Sequence, residues 1–140
     1  MYSVCRMSRM EYSTSSHCKY LIALHIILVI KYRKKLLTGS VGETAKKLIE
    51  ELSSCSDFEI EQMEVDEDHL HMLIRISPKY AVSQHIRRIK QYTTRHLWDR
   101  YPMLKSHFWK EQTFWSDGYF VCSVGNASAD AVRKYIQEQG

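Results

Sequence analysis

Apolar and polar positions along the chain fall into two periods, and their order sketches the elements. Tyr20 to Ile30 (YLIALHIILVI) is an apolar run of eleven residues broken only by His25. It has about half the length of a membrane-spanning helix, and residues 18 to 30 predict a first strand buried on both faces. After Gly39 and Gly42, the residues Ala45, Leu48, Ile49 and Leu52 recur at helical spacing and predict a helix over Glu43 to Ser54. Phe58, Ile60, Met63 and Val65 interleave with Glu59, Glu61, Glu64 and Asp66, which reads as a strand with one slip of register. Asp66-Glu67-Asp68 is a tight turn into a third strand (Leu70, Met72, Leu73, Ile74, Ile76), stopped by Ser77-Pro78, so these two strands form a hairpin. Val82, Ile86, Ile89 and Leu97 return to a helical period that ends near Tyr101-Pro102. Tyr119 to Val124 alternates as a fourth strand, closed by Gly125-Asn126. Asn126 or Ser128 can then cap a last helix with apolar positions Ala129, Val132 and Ile136. The order β-α-β-β-α-β plus a C-terminal helix predicts an α+β, ferredoxin-like split βαβ fold: one antiparallel sheet with helices on one face.

Length bounds this picture to one domain, since the chain has 140 residues. Residues 1–16, with Arg6, Arg9 and a Ser/Thr cluster, read as a flexible N-terminal tail without a targeting pattern, and residues 17–140 as the single domain. Cys5, Cys18, Cys55 and Cys122 are scattered without a Cys-x-x-Cys pair, which argues against a zinc finger or a disulfide framework and for a reducing cytosol. Charge changes the picture more. Ten of the sixteen acids lie between Glu43 and Asp68. Bases gather at Lys31, Arg33, Lys34 and Lys35, and again as Lys79, Arg87, Arg88, Lys90, Arg95 and Arg100 against the single acid Asp99. Such polarity offers phosphate a basic face; a solvated helix with an excess of arginine is the other reading.

Candidate chemistry sits at two places. On the third strand, His69 and His71 are residues i and i+2, so their imidazoles share a face about 7 Å apart and can share a divalent ion. Two hydrogen-bonded histidines would fit the same pattern. The zinc-hydrolase motif that starts His-x-His asks for Asp and His next, whereas Met72 and Leu73 follow here. On the last helix, Tyr135 and Gln139 lie one turn apart on one face. A phenol with a pKa of about 10 is a poor nucleophile at neutral pH, so its target needs activation, which a metal acting as a Lewis acid supplies. Gln139 could add an amide oxygen. Alternatively, Tyr135 packs under the sheet and Gln139 is solvated.

Four segments in register carry a resemblance: Leu24 to Arg33 (LHIILVIKYR), Asp68 to Leu73 (DHLHML), Phe114 to Val121 (FWSDGYFV) and Tyr135 to Gln139 (YIQEQ). From about Cys18 to Gln139 the chain resembles the single-tyrosine HUH transposases of the insertion-sequence 200/605 group. That resemblance implies a homodimeric, metal-dependent single-strand DNA endonuclease and strand transferase, with active sites shared between subunits. It implies Mg²⁺ or Mn²⁺ on His69, His71 and Gln139, with Tyr135 as the nucleophile that becomes linked to a 5′ phosphate and leaves a 3′ hydroxyl. It further implies recognition of hairpins near element ends and a cytoplasmic, nucleoid-associated setting in a prokaryote. No nucleotide cofactor is expected, and the sequence has no Gly-rich Lys-Ser/Thr loop.

Within that frame Lys31, Arg33, Lys34, Lys35, Arg87, Arg88, Lys90 and Arg95 are candidates for DNA phosphates. Tyr92, Trp98 or Trp109 can stack on an unpaired base or serve as core or dimer interface. His25 reads as a core or interface histidine rather than a ligand. About ten residues through Met10 precede the usual family start, and the chain stops one residue after Gln139, so a short or frayed last helix is expected. Three alternatives share much of this: a domesticated nuclease of repeat hairpins, a rolling-circle replication initiator, and a non-catalytic single-strand-binding module. The last would use stacking aromatics on the open sheet face and no metal.

Overall fold

A computed structural model of the chain describes residues 12–15, 17–108, 112–124 and 135–138. In chain order it contains β1 (Ser13–Ser15), β2 (Cys18–Tyr20), β3 (Ile22–Val29), α1 (Gly39–Ser54), β4 (Phe58–Val65), β5 (His69–Ile76), α2 (Val82–Arg100) and β6 (Phe120–Ser123). The main sheet has the order β4-β5-β3-β6, and every pairing is antiparallel. This is the ferredoxin-like α+β arrangement that the element order predicts.

Alternation in β3 and β5 divides the sheet into two faces. Ile26, Leu28 and Ile30, with Leu70, Met72 and Ile74, are wholly buried in the core that Ala45, Leu48, Ile49 and Leu52 of α1 and Ile86, Ile89 and Leu97 of α2 complete. The slip expected in β4 is a register shift between Ile60 and Gln62, which lets Phe58 on one side and Met63 on the other both pack against the core. On the second face, Ile27 and Val29 pack with Ile136, flanked by Phe120 and Tyr135. Residues 135–138 are helical, so this last turn adds cover on the face that α1 and α2 leave open.

Three features differ from the sequence expectation. Within the segment read as a tail, Ser13–Ser15 pairs antiparallel with Cys18–Tyr20 as a separate hairpin, and the expected first strand divides at Leu21. Helix α1 starts at Gly39 (φ 55°) rather than at Glu43. Gly42 lies inside it, where a Cβ would come within 3.1 Å of the Leu37 carbonyl oxygen. Beyond α2, a 3-10 segment (Pro102–Phe108) and residues 114–115 build an aromatic annex in which Trp98, Phe108, Phe114 and Trp115 touch one another. The Trp115 indole donates to Thr93 Oγ1 at 2.8 Å, and the Thr93 hydroxyl donates to the Ile89 carbonyl at 2.7 Å. The remainder of the expected tail, Trp109, the caps Asn126 and Ser128, Ala129, Val132 and Gln139 lie outside the described residues.

Candidate active site

The strand period puts His69 and His71 on one face, and the ladder decides their neighbours. His69 stands opposite Val29, and His71 opposite Ile27, which in turn faces Phe120 of β6. Directly opposed residues share a face, so the histidine pair lies on the surface against which Ile136 packs. Both imidazoles are buried.

Each ring has a defined partner. His69 Nδ1 donates to Asp68 Oδ1 at 2.9 Å, which sets the tautomer and makes Nε2 the basic nitrogen, as carboxylates do behind metal-binding histidines. Asp68 is itself fixed, because its carbonyl accepts from the Ile30 N–H at 2.9 Å. His71 Nε2 lies 3.2 Å from His25 Nδ1. The two rings are within 15° of parallel with centroids 5.4 Å apart, the geometry of two imidazoles meeting edge to edge in one N–H···N bond. Burial first, then the His25 charge, push the His71 pKa down against an opposing pull from Glu64, and burial lowers His25 as well. Both rings are therefore neutral at neutral pH, and a neutral imidazole is the form that binds a metal. His25, read from sequence as core or interface, is thus a neighbour of the pair; no local pattern signals this, because β3 and β5 meet across a long connection.

A divalent ion fits the pair as far as it is described: two imidazoles on one sheet face, one oriented by a carboxylate. Among the described residues no group of three or more His, Cys, Asp or Glu side chains converges on a common point. Gln139, the expected third ligand, lies outside them.

Tyr135 is on the same face, packed with Phe120 against the cluster of Ile27, Val29 and Ile136. Its ring packs on Phe120 with centroids 5.6 Å apart. The hydroxyl is buried without a hydrogen-bond partner among the described residues, close enough to Gly118 that a Cβ there would lie 3.4 Å from it. Burial pushes the phenol up to about 12. The loop beside it is held by Lys90, whose ammonium donates to the carbonyls of Ser116 (2.7 Å), Asp117 (3.2 Å) and Gly118 (2.9 Å).

Lys90 was a candidate for phosphate, but in this arrangement its three N–H groups are engaged by the loop. Of the other candidates, Lys31 pairs with Asp117 at 3.4 Å and Lys35 with Glu67 at 3.7 Å. Arg33, Arg87, Arg88 and Arg95 are exposed and Lys34 is half-buried. Tyr92 donates to Glu51 Oε2 at 3.1 Å and packs on His96, while Trp98 packs in the aromatic annex.

Residues 18–139 match the family model described as Transposase IS200 like. The chain belongs to that family. It is 28% identical over 120 residues to the ISDra2 transposase TnpA of Deinococcus radiodurans, covering 86% of this chain and 85% of that one. It is 30% identical over 126 residues to the transposase for insertion sequence element IS200 of Salmonella typhimurium, covering 90% and 79%. Among solved structures, a candidate transposase from D. radiodurans R1 superposes with a TM-score of 0.84 at 23% identity, over 91% of this chain and 97% of that one. A REP-associated tyrosine transposase bound to a REP hairpin gives 0.53 at 16% identity, over 88% and 68%. These two likenesses bear on the fold. Membership of the family suggests DNA endonuclease or strand-transferase activity. No helix among the described residues is long and apolar enough to cross a membrane.

Proposed function

We propose that this chain cuts and rejoins single-stranded DNA at insertion-sequence ends through a covalent 5′-phosphotyrosine, with Tyr135 as nucleophile. The observation that carries the reading is the His69–His71 pair: buried, oriented at His69 by Asp68, and on the same sheet face as the tyrosine. The Tyr135 oxygen forms a bond to phosphorus as the bond from phosphorus to the 3′ oxygen breaks. The phenolic proton is lost and the departing 3′ oxygen gains one, so a later attack by another 3′ hydroxyl reverses the sequence and joins DNA. A divalent ion, Mg²⁺ or Mn²⁺, held by His69, His71 and Gln139 would withdraw charge from the scissile phosphate. The chain's own part is to present the two imidazoles on one sheet face and to carry the phenol on the helix that covers that face.

In its own chain the Tyr135 hydroxyl lies against the Gly118 loop, and burial pushes its pKa up to about 12, so it is not ionised at neutral pH. This favours a homodimer in which the tyrosine helix of one copy serves the histidine pair of the other. Hairpin recognition is proposed from the REP hairpin bound by the structural relative, with the exposed bases Arg33, Arg87, Arg88 and Arg95 as phosphate contacts.

Cleavage of end-labelled single strands from the flanking DNA, with Mn²⁺ or with EDTA, tests the metal site. Cleavage should require Mn²⁺ and fall at least about a hundredfold in His69→Ala/His71→Ala, in the range of a lost catalytic group. Undiminished cutting by that variant would remove the histidines from the chemistry.

A further inference from the structure

Between β3 and α1 the chain makes a turn whose backbone is unusual for its residues. Tyr32 has φ 62° and ψ 16°, and Arg33 has φ 50°. Consecutive left-handed conformations at non-glycine residues are disfavoured, most of all for bulky side chains, and persist only where the surroundings impose them. They are imposed here on every side: Ile30 N–H donates to the Asp68 carbonyl (2.9 Å), Lys31 N–H to the Phe114 carbonyl (3.1 Å), and Arg33 N–H to the Ile30 carbonyl (2.8 Å). Glycine or asparagine would fit this turn with less strain. The chain instead places an aromatic ring there and leaves the residue 55% exposed.

The location gives that ring a use. Asp68, which anchors the turn through its carbonyl, also orients His69 through its carboxylate. Val29, three residues before Tyr32, is the ladder partner of His69. The turn therefore borders the histidine pair. Lys31 stands 5.9 Å from the Tyr32 ring centroid, and Arg33 beside it is exposed. An exposed aromatic ring beside two cations, at the edge of a phosphodiester site, has the make-up of a single-strand binding surface, in which base stacking is combined with charge.

We propose that Tyr32 is a stacking platform for one unpaired base of the DNA strand entering the site, with Arg33 placed for the adjoining phosphate. This rests on the strand-transfer reading above and adds a substrate-binding residue to it. The turn ties the backbone of Tyr32 to the end of β3 and, through Ile30, to Asp68 beside His69.

The test compares two fluorescein-labelled probes of about a dozen nucleotides, an oligothymidine and an abasic strand with the same phosphates. Tyr32→Gly and Tyr32→Asn, which both tolerate the left-handed turn, should keep or raise the melting temperature. They should weaken oligothymidine binding about tenfold and leave abasic binding unchanged, while Tyr32→Trp retains both. Wild-type affinity for oligothymidine in the glycine and asparagine variants would overturn the platform while leaving the strand-transfer reading intact. Equal loss on both probes would reduce Tyr32 to a structural role. A wild-type protein that binds neither probe would reject the platform, while the strand-transfer reading stands or falls separately on cleavage of the flanking strands.

Discussion

His85, on the face of α2 that meets the core, is 2% exposed, packed edge-on against Phe58 and Tyr80. Burial lowers its pKa from 6.5; Arg88 adds to this and Asp57 opposes it. In the unfolded chain the imidazole takes a proton near 6.5, whereas in the folded protein it resists to lower pH. Its contribution to stability is thus complete above 6.5 and lost as pH falls toward the folded value. The melting temperature should fall by a few degrees between about pH 7 and about pH 5, and His85→Gln should shrink that loss, as read by thermal scans across the range. Residue roles differ in how far the sequence carries them. His69 and His71 are legible because a period of two places them on one face whatever the fold does around them. His25 is not, since its meeting with His71 depends on a cross-strand register that no local pattern encodes. The same holds for Lys90, whose charge suggests phosphate until the loop carbonyls of residues 116 to 118 are seen around it.

That loop is an element held from α2, and its stiffness is a testable property. Lys90→Met removes three charge-assisted hydrogen bonds, and urea unfolding should show a loss of about 2 kcal/mol. The wall beside the Tyr135 hydroxyl would loosen with it, so adduct formation should change more than hairpin affinity does. The elements themselves follow the hydrophobic pattern closely. The slip in β4, the ends of α2 and the hairpin of β4 with β5 all come from side-chain period and from turn residues. The start of α1 and the annex after α2 do not. Gly39 begins the helix in a left-handed conformation, and the 102–108 segment orders itself around Trp98, Phe108, Phe114 and Trp115, contacts that depend on tertiary packing rather than on period.

For the whole molecule, the proposed sharing of a site between two copies has its own test. Light scattering after gel filtration at micromolar concentration should give a dimer of 33 kDa, twice the 16.6 kDa of one chain; monomer alone would contradict a shared site. The central claim is that Tyr135 becomes covalently joined to DNA, and a denaturing gel reads it directly. The protein is mixed with end-labelled single strands from its genomic flanks, with Mn²⁺ or with EDTA, beside Tyr135→Phe. The expected result is a protein-DNA band that requires Mn²⁺ and vanishes in Tyr135→Phe, while that variant still binds the hairpin strand. A band that persists in Tyr135→Phe, or no band from a wild-type protein that binds the strand, would contradict the assignment of Tyr135 as the nucleophile.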